Sequence, residues 1–126
     1  MGKGFRDLMV WKRAKDLAVT IYRLTESGAF SRDFGLRDQI RRAAVSIASN
    51  IAEGDERDTN KDSVRFLYIA KGSLAEVTTQ TIIATEIGYL NEADSKYIES
   101  ECEAVGKMLG SLIKARTKPR PITHDP

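Results

Sequence analysis

The sequence predicts an all-α protein with the architecture of an antiparallel up-down four-helix bundle. Four long segments repeat apolar residues at the i, i+3, i+4, i+7 spacing of an amphipathic helix, and no segment alternates in the manner of a strand. The connections between these segments are short, which favours antiparallel neighbours. The length of 126 residues fits one domain.

The first two helices are predicted over residues 7–26 and 33–53. Asp7 is a plausible N-cap of the first helix, because its carboxylate can accept a hydrogen bond from a free backbone N–H group. The segment between the two helices is rich in Gly and Ser and is predicted to be a loop. Gly54 follows the second helix and is predicted to be its C-cap.

The third and fourth helices are predicted over residues 60–87 and 91–116. Thr59 or Asn60 is expected to cap the third helix, and Asn91 the fourth. Two prolines follow the fourth helix and prevent its continuation. We therefore expect a single domain over residues 1–117 and a flexible, basic, proline-containing tail over residues 118–126.

The composition argues against an enzyme. Cys102 is the only cysteine and His124 the only histidine, so the chain lacks the residues for an internal disulfide, a thiolate metal cluster or a catalytic triad. No glycine-rich phosphate loop and no membrane-spanning apolar run is present. We expect no cofactor and no metal, and a single cysteine on an apolar stripe fits a core residue of a cytoplasmic protein.

The second and third predicted helices carry a second set of apolar or small residues opposite their core stripes. A helix that is apolar on both sides is usually buried on both sides, which favours self-association of the chain. The alternative is that these are the scattered apolar residues normal on any surface. The predicted interface comprises Val45, Ala48, Ala52, Val64, Tyr68, Gly72, Ala75 and Ile82.

A polar stripe runs along the second helix beside its core stripe, and polar residues of the third helix are expected to face it. One interpretation is a structural network that fixes helix register, and the other is a functional pocket. A di-metal site of carboxylates would need Glu-x-x-His motifs, which are absent. We favour the structural network, composed of Gln39, Ser46, Asn50, Glu53, Ser73 and Glu76. Residues equidistant from the turn should pair, with Asn50 near Asp62 and Ser63, and Gln39 near Ser73 and Glu76.

Basic residues are clustered on the first three helices and near the C-terminus, although the net charge is only +2. Such clusters can contact the phosphates of a nucleic acid without reading its bases. The alternative is a solvated helix face, with the last cations complementing the dipole of the fourth helix. The candidate nucleic-acid-binding residues are Lys12, Arg13, Lys15, Arg37, Arg41, Arg42, Arg65, Lys71, Lys114, Arg116, Lys118 and Arg120.

Two stretches, "LRDQIRRAAVSIASNIAEG" and "FLYIAKGSLAEV", carry a family resemblance. They resemble the bacterial 23S ribosomal RNA intervening-sequence proteins, and the first helix is also similar to that family's. The resemblance implies a ring-shaped homopentamer of four-helix bundles. A related branch of the family is the accessory variability proteins of diversity-generating retroelements. Its members have a basic surface that binds nucleic acid, so the resemblance implies such a surface here as well.

Together these observations predict a non-enzymatic, oligomeric accessory protein that binds nucleic acid, with RNA as the first candidate. The alternative is an oligomeric scaffold that binds a protein partner and has no nucleic-acid role. A more distant hypothesis is a metal-dependent nucleotide hydrolase that uses Glu53 or Glu76.

Overall fold

The computed structural model describes residues 4–117, and within this range it contains helices and no strand. A short 3-10 helix (Gly4–Asp7) precedes the α-helices. These are α1 (Met9–Leu24), α2 (Gly28–Arg32), α3 (Phe34–Asp55), α4 (Asn60–Glu86) and α5 (Glu92–Thr117). The all-α prediction is confirmed, and the four long helices correspond to the four predicted segments.

Three of the long helices begin with a side-chain cap, and the caps of α4 and α5 are the predicted Thr59 and Asn91. Asp33 Oδ1 accepts a hydrogen bond from the Leu36 N–H at 3.1 Å. Thr59 Oγ1 accepts from the Asp62 N–H at 3.2 Å, and Asn91 Oδ1 from the Asp94 N–H at 2.7 Å. Each bond satisfies one of the N–H groups that a helix start leaves free.

The beginning of α1 and the first loop differ from the prediction. Asp7 belongs to the 3-10 helix and α1 begins at Met9, because the Phe5 ring packs edge-on against Trp11 and fixes a separate turn. The predicted loop contains α2, whose Phe30 is 1% exposed and lies 5.3 Å from the Tyr89 ring. Burial of this phenylalanine orders a segment whose glycine and serine content alone predicts a loop.

Gly54 is not the C-cap of α3 but a buried residue inside it. The helix continues to Asp55, and Glu56 is the C-cap. A Cβ atom at position 54 would lie 3.1 Å from the backbone oxygen of Ser63 and 3.3 Å from Phe66 Cβ. The glycine therefore serves the close approach of α3 and α4 and not the end of a helix.

The four long helices form a closed, antiparallel bundle in the order α1, α3, α4, α5 and back to α1. Ser46 on α3 forms a hydrogen bond with Ser73 on α4, and Gln39 on α3 contacts Gln80 on α4. Residue numbers thus fall along α3 as they rise along α4, which shows that the two helices are antiparallel. The core between the helices holds fully buried side chains that include Leu17, Ile40, Ile47, Ile51, Leu67, Val77, Ile98, Val105 and Leu109.

Among the described residues, no helix has both the length and the apolar character that a membrane crossing requires.

Candidate nucleic-acid and self-association surfaces

The polar stripe of α3 forms hydrogen bonds at the boundary with α4. The hydroxyl of Ser73 donates to Ser46 Oγ at 2.8 Å, and Asn50 Nδ2 donates to Ser46 O and Oγ at 2.8 and 2.9 Å. Two turns along, the Nε2 of Gln80 lies 3.5 Å from Gln39 Oε1, and Gln80 Oε1 is buried without a hydrogen-bond partner in the described chain. These contacts link the two helices in one register, as a structural network would.

The register of this network is displaced from the predicted one. The sequence predicts Asn50 near Asp62 and Ser63, and Gln39 near Ser73 and Glu76. The structure instead pairs Gln39 with Gln80 and Ser46 with Ser73. The extension of α3 by two residues past Glu53 accounts for only part of the displacement, so α3 and α4 are also offset along their axes.

The two glutamates predicted to belong to the polar network, Glu53 and Glu76, form none of these hydrogen bonds. Glu53 is paired with Arg57 at 2.8 Å, and Glu76 is exposed with no partner among residues 4–117. No group of three or more His, Cys, Asp or Glu side chains within that range could hold a metal ion, and His124 lies outside it.

Cys102 is buried on α5, at a cleft that also contains Thr78 and Glu99. Burial raises the pKa of its thiol to about 11. The thiol is therefore protonated at neutral pH and inert as a nucleophile, in agreement with a core role.

The folded protein is expected to react with a thiol reagent at pH 8 about 100-fold more slowly than the urea-unfolded chain. The reason is that a pKa near 11, against the ordinary value of 9.0, leaves about 100-fold less thiolate. Because the pKa of the Cys102 thiol is higher in the folded than in the unfolded chain, the buried thiol contributes to the free energy of unfolding. This contribution is complete below about pH 9 and is lost as the pH rises to about 11. Equal labelling rates in the folded and unfolded chains would contradict the buried placement.

Most of the candidate basic residues in the described range are already engaged within the chain. Arg13 donates to both carboxylate oxygens of Glu101, at 3.2 and 2.7 Å, which raises the pKa of Arg13. The remaining engaged residues are Lys15 with Asp16, Arg37 with Asp38 and the Ser31 carbonyl, Arg41 with Thr25 and the Tyr22 carbonyl, Arg65 with Asp62, and Arg116 with Asp55 and Ser63.

Four candidates, Lys12, Arg42, Lys71 and Lys114, have no partner among residues 4–117 and are exposed. They lie one on each of the four long helices. Lys114 stands on the last turns of α5, where the chain continues toward Lys118 and Arg120. These two candidates lie outside the described residues.

The predicted interface residues divide between two surfaces. Val45, Ala48 and Ala52 lie on one wall of an open, mostly apolar groove between α1 and α3, with a volume of about 540 Å³. The sequence reasoning missed its other wall, which belongs to α1 and includes Trp11 and Tyr22 beside the 3-10 helix. We define the α1/α3 groove by Phe5, Trp11, Lys15, Ala18, Val19, Tyr22, Arg23, Val45, Ala48, Ser49 and Ala52.

The second surface is the outward side of α4. Tyr68 is 55% exposed and Ile82 is 41% exposed, with the exposed Gly72 and Ala75 between them and half-buried Val64 one turn before. Ile83 broadens this strip, and a side chain at Gly72 would meet nothing within 4 Å. We define the α4 outer face by Val64, Tyr68, Gly72, Ala75, Ile82 and Ile83.

Comparisons with known proteins agree with the resemblance carried by the α3 and α4 motifs. The family model described as "23S rRNA-intervening sequence protein" matches residues 6–111. A search of the curated proteins gives no significant match. A crystal structure of a protein of unknown function from the S23 ribosomal protein family of Bacteroides thetaiotaomicron VPI-5482 is similar in fold. It has a TM-score of 0.78 and 24% identity, over 84% of this chain and 99% of that one. The chain belongs to the 23S rRNA-intervening sequence protein family.

Proposed function

We propose that the protein is a non-enzymatic, self-associating accessory protein of the cytoplasm that binds nucleic acid through phosphate contacts. The observation that carries this proposal is the set of cations at the C-terminal end of the chain. Lys114 has no carboxylate partner in the described structure, and Lys118 and Arg120 follow it in the sequence with no acidic residue between them. An unpaired cation such as Lys114 is free to replace a counterion of a phosphate backbone, and the two cations that follow it in sequence add to the positive charge there.

RNA is the nucleic acid that we propose first, because the family description names an intervening sequence of 23S rRNA. Lys12 and Lys71 are the further proposed contacts, since they too lack partners in the described range. Arg42 also lacks one, but it borders the α1/α3 groove and is a contact only in a chain that is not self-associated. Arg13, Arg41 and Arg116 are poorer candidates because an anion that approached them would have to displace existing partners. Contacts of this type position a nucleic acid without reading its sequence.

Self-association is the second part of the proposal. In the form that the family resemblance implies, the four-helix bundle forms a ring-like homopentamer. The predicted basic tail, residues 118–126, lies outside the described residues. Support from this chain comes from the α1/α3 groove and the α4 outer face, which expose large apolar side chains on one small protein. Exposed apolar surface of this kind usually marks an interface.

A protein-binding scaffold is the alternative, and the same α1/α3 groove favours it, because an apolar cleft can accept a partner helix. Binding to such a partner would depend little on salt, whereas nucleic-acid binding would fall steeply as salt rises.

Fluorescence anisotropy of a labelled structured RNA, measured across a salt series, separates these two functions. The account predicts a linear fall of log affinity with log salt. Replacing Lys118 and Arg120 with Gln in the full chain should weaken binding about 10-fold or more and reduce the slope by about one to two. The control is Lys96→Gln with Lys107→Gln, which removes the same charge from exposed positions on α5. Equal losses of RNA affinity in the two variants would show that only the net charge of the chain matters, and would contradict a specific role of Lys118 and Arg120. No RNA binding by the wild type at low salt would reject the proposal.

A further inference from the structure

We propose that the α1/α3 groove of one copy receives the α4 outer face of a second copy, with the two bundles pointing in the same direction. The inference rests on the proposed self-association. It adds which surfaces meet and in which orientation they do so.

The shapes of the two surfaces argue for this pairing. The α1/α3 groove is concave, with a volume of about 540 Å³. The α4 outer face lies along a single helix, and its Gly72 and Ala75 allow close approach between the larger Tyr68 and Ile82. A ridge placed in a groove fills space, whereas two ridges or two grooves placed face to face leave voids. Because the two surfaces differ, the contact is heterologous, and repetition of it closes a ring if the rotation permits.

The level of α3 against α4 within one copy is fixed by the Ser46–Ser73 bond and the Gln39–Gln80 contact. By this register Arg42 is level with the turn of α4 that carries Glu76, and Glu56 is level with the turn just after Lys61. All four charged side chains lack a partner among the described residues. The signs of these unpaired charges therefore distinguish docking of two copies in the same direction from docking in opposite directions.

Docking in the same direction brings opposite charges together. Glu76 of the second copy then lies at the level of Arg42, and Lys61 of the second copy at the level of Glu56. In the reversed direction Lys61 would approach the arginine-rich start of α3, and Glu86 would approach Glu56. Juxtaposed like charges disfavour that orientation, and complementary charges set the register of the other.

The orientation has a consequence for the proposed nucleic-acid contacts. Arg116 bonds to Asp55 and Ser63, so α5 ends at the same end of the bundle where α3 ends and α4 begins. Bundles that all point the same way therefore carry the C-terminal ends of α5 on one face of the assembly. Several weak sets of cations on one face bind a single nucleic acid with the advantage of multivalency.

A mixing experiment tests which surfaces meet. Val45→Glu blocks the α1/α3 groove and Ala75→Glu blocks the α4 outer face, both at exposed positions. Each variant alone is expected to have the mass of one chain in light scattering, and an equal mixture is expected to form a two-chain species, because one intact groove and one intact ridge remain. Ala93→Glu, on exposed α5 surface, is the control and should keep the wild-type mass.

The outcomes separate this inference from the proposal beneath it. A monomeric wild type would reject self-association itself. An oligomeric wild type whose two variants fail to associate on mixing would overturn only the groove-and-ridge pairing, as would a dimer formed by either variant alone.

A charge exchange tests the direction. Arg42→Glu and Glu76→Arg are each expected to weaken association about 10-fold, and the chain carrying both should recover most of the loss, because the pair is restored with its signs exchanged. Losses that simply multiply in the double variant would overturn the parallel orientation.

Discussion

The Tyr68→Glu protein is expected to be a folded monomer with a mass near 14.0 kDa under conditions in which the wild type is an oligomer. Tyr68 is 55% exposed in the single chain, so its replacement removes little from the fold. At the centre of a docked α4 outer face, however, the glutamate would bury an unpaired charge, which typically costs 3–5 kcal/mol. The expected loss of affinity between copies is therefore at least 100-fold. Light scattering at micromolar concentration measures it.

Tyr97→Glu is the matched control for this prediction. Tyr97 is a tyrosine on α5 with 48% exposure, away from both the α1/α3 groove and the α4 outer face. The control should retain the wild-type mass, and both variants should retain the wild-type helical circular dichroism. Dissociation of both variants, or of neither, would contradict the assignment of the α4 outer face.

The Arg116→Ala protein is expected to lose about 2–4 kcal/mol of unfolding free energy. Arg116 joins three helices, because its guanidinium on α5 donates to Asp55 at the end of α3 and to Ser63 at the start of α4. Both charged side chains are largely buried, at 21% and 17% exposure. Removal of the guanidinium leaves the Asp55 carboxylate without its partner, and urea denaturation measures the loss.

Lys114→Ala is the control for Arg116→Ala, since it removes a nearby cation that has no partner in the described chain. Its unfolding free energy should remain within about 0.5 kcal/mol of the wild type. The two variants should also differ in RNA affinity at low salt, which falls for Lys114→Ala and changes little for folded Arg116→Ala. The reverse pattern would show that Arg116 is a phosphate contact after all.

Helix number and most helix ends could be predicted from the sequence because they depend on local signals. The predicted caps Thr59 and Asn91 act within one turn, and the apolar periodicity of the long helices is continuous. The exceptions are the start of α1, which follows a separate 3-10 turn, and the two features α2 and Gly54. Of these last two, the first depends on burial of Phe30 against Tyr89, and the second on the approach of a different helix, so neither has a local signal.

The candidate nucleic-acid and self-association surfaces could be predicted from the sequence only in part. The charged residues themselves are visible there, but whether a cation is free depends on tertiary partners. Arg13 meets Glu101 and Arg116 meets Asp55 across the bundle, and no spacing rule could have indicated these pairs. Similarly, the second apolar set was recognised on α3 and α4, but helical periodicity alone does not reveal that Val45 faces α1 while Tyr68 faces outward.

The central claim combines self-association with nucleic-acid binding, and light scattering coupled to size exclusion tests both in one measurement. The wild-type protein is mixed with a structured RNA at low salt. We expect one species whose mass equals several 14.0 kDa chains plus a single RNA. Protein that elutes apart from the RNA at the mass of one chain would contradict it.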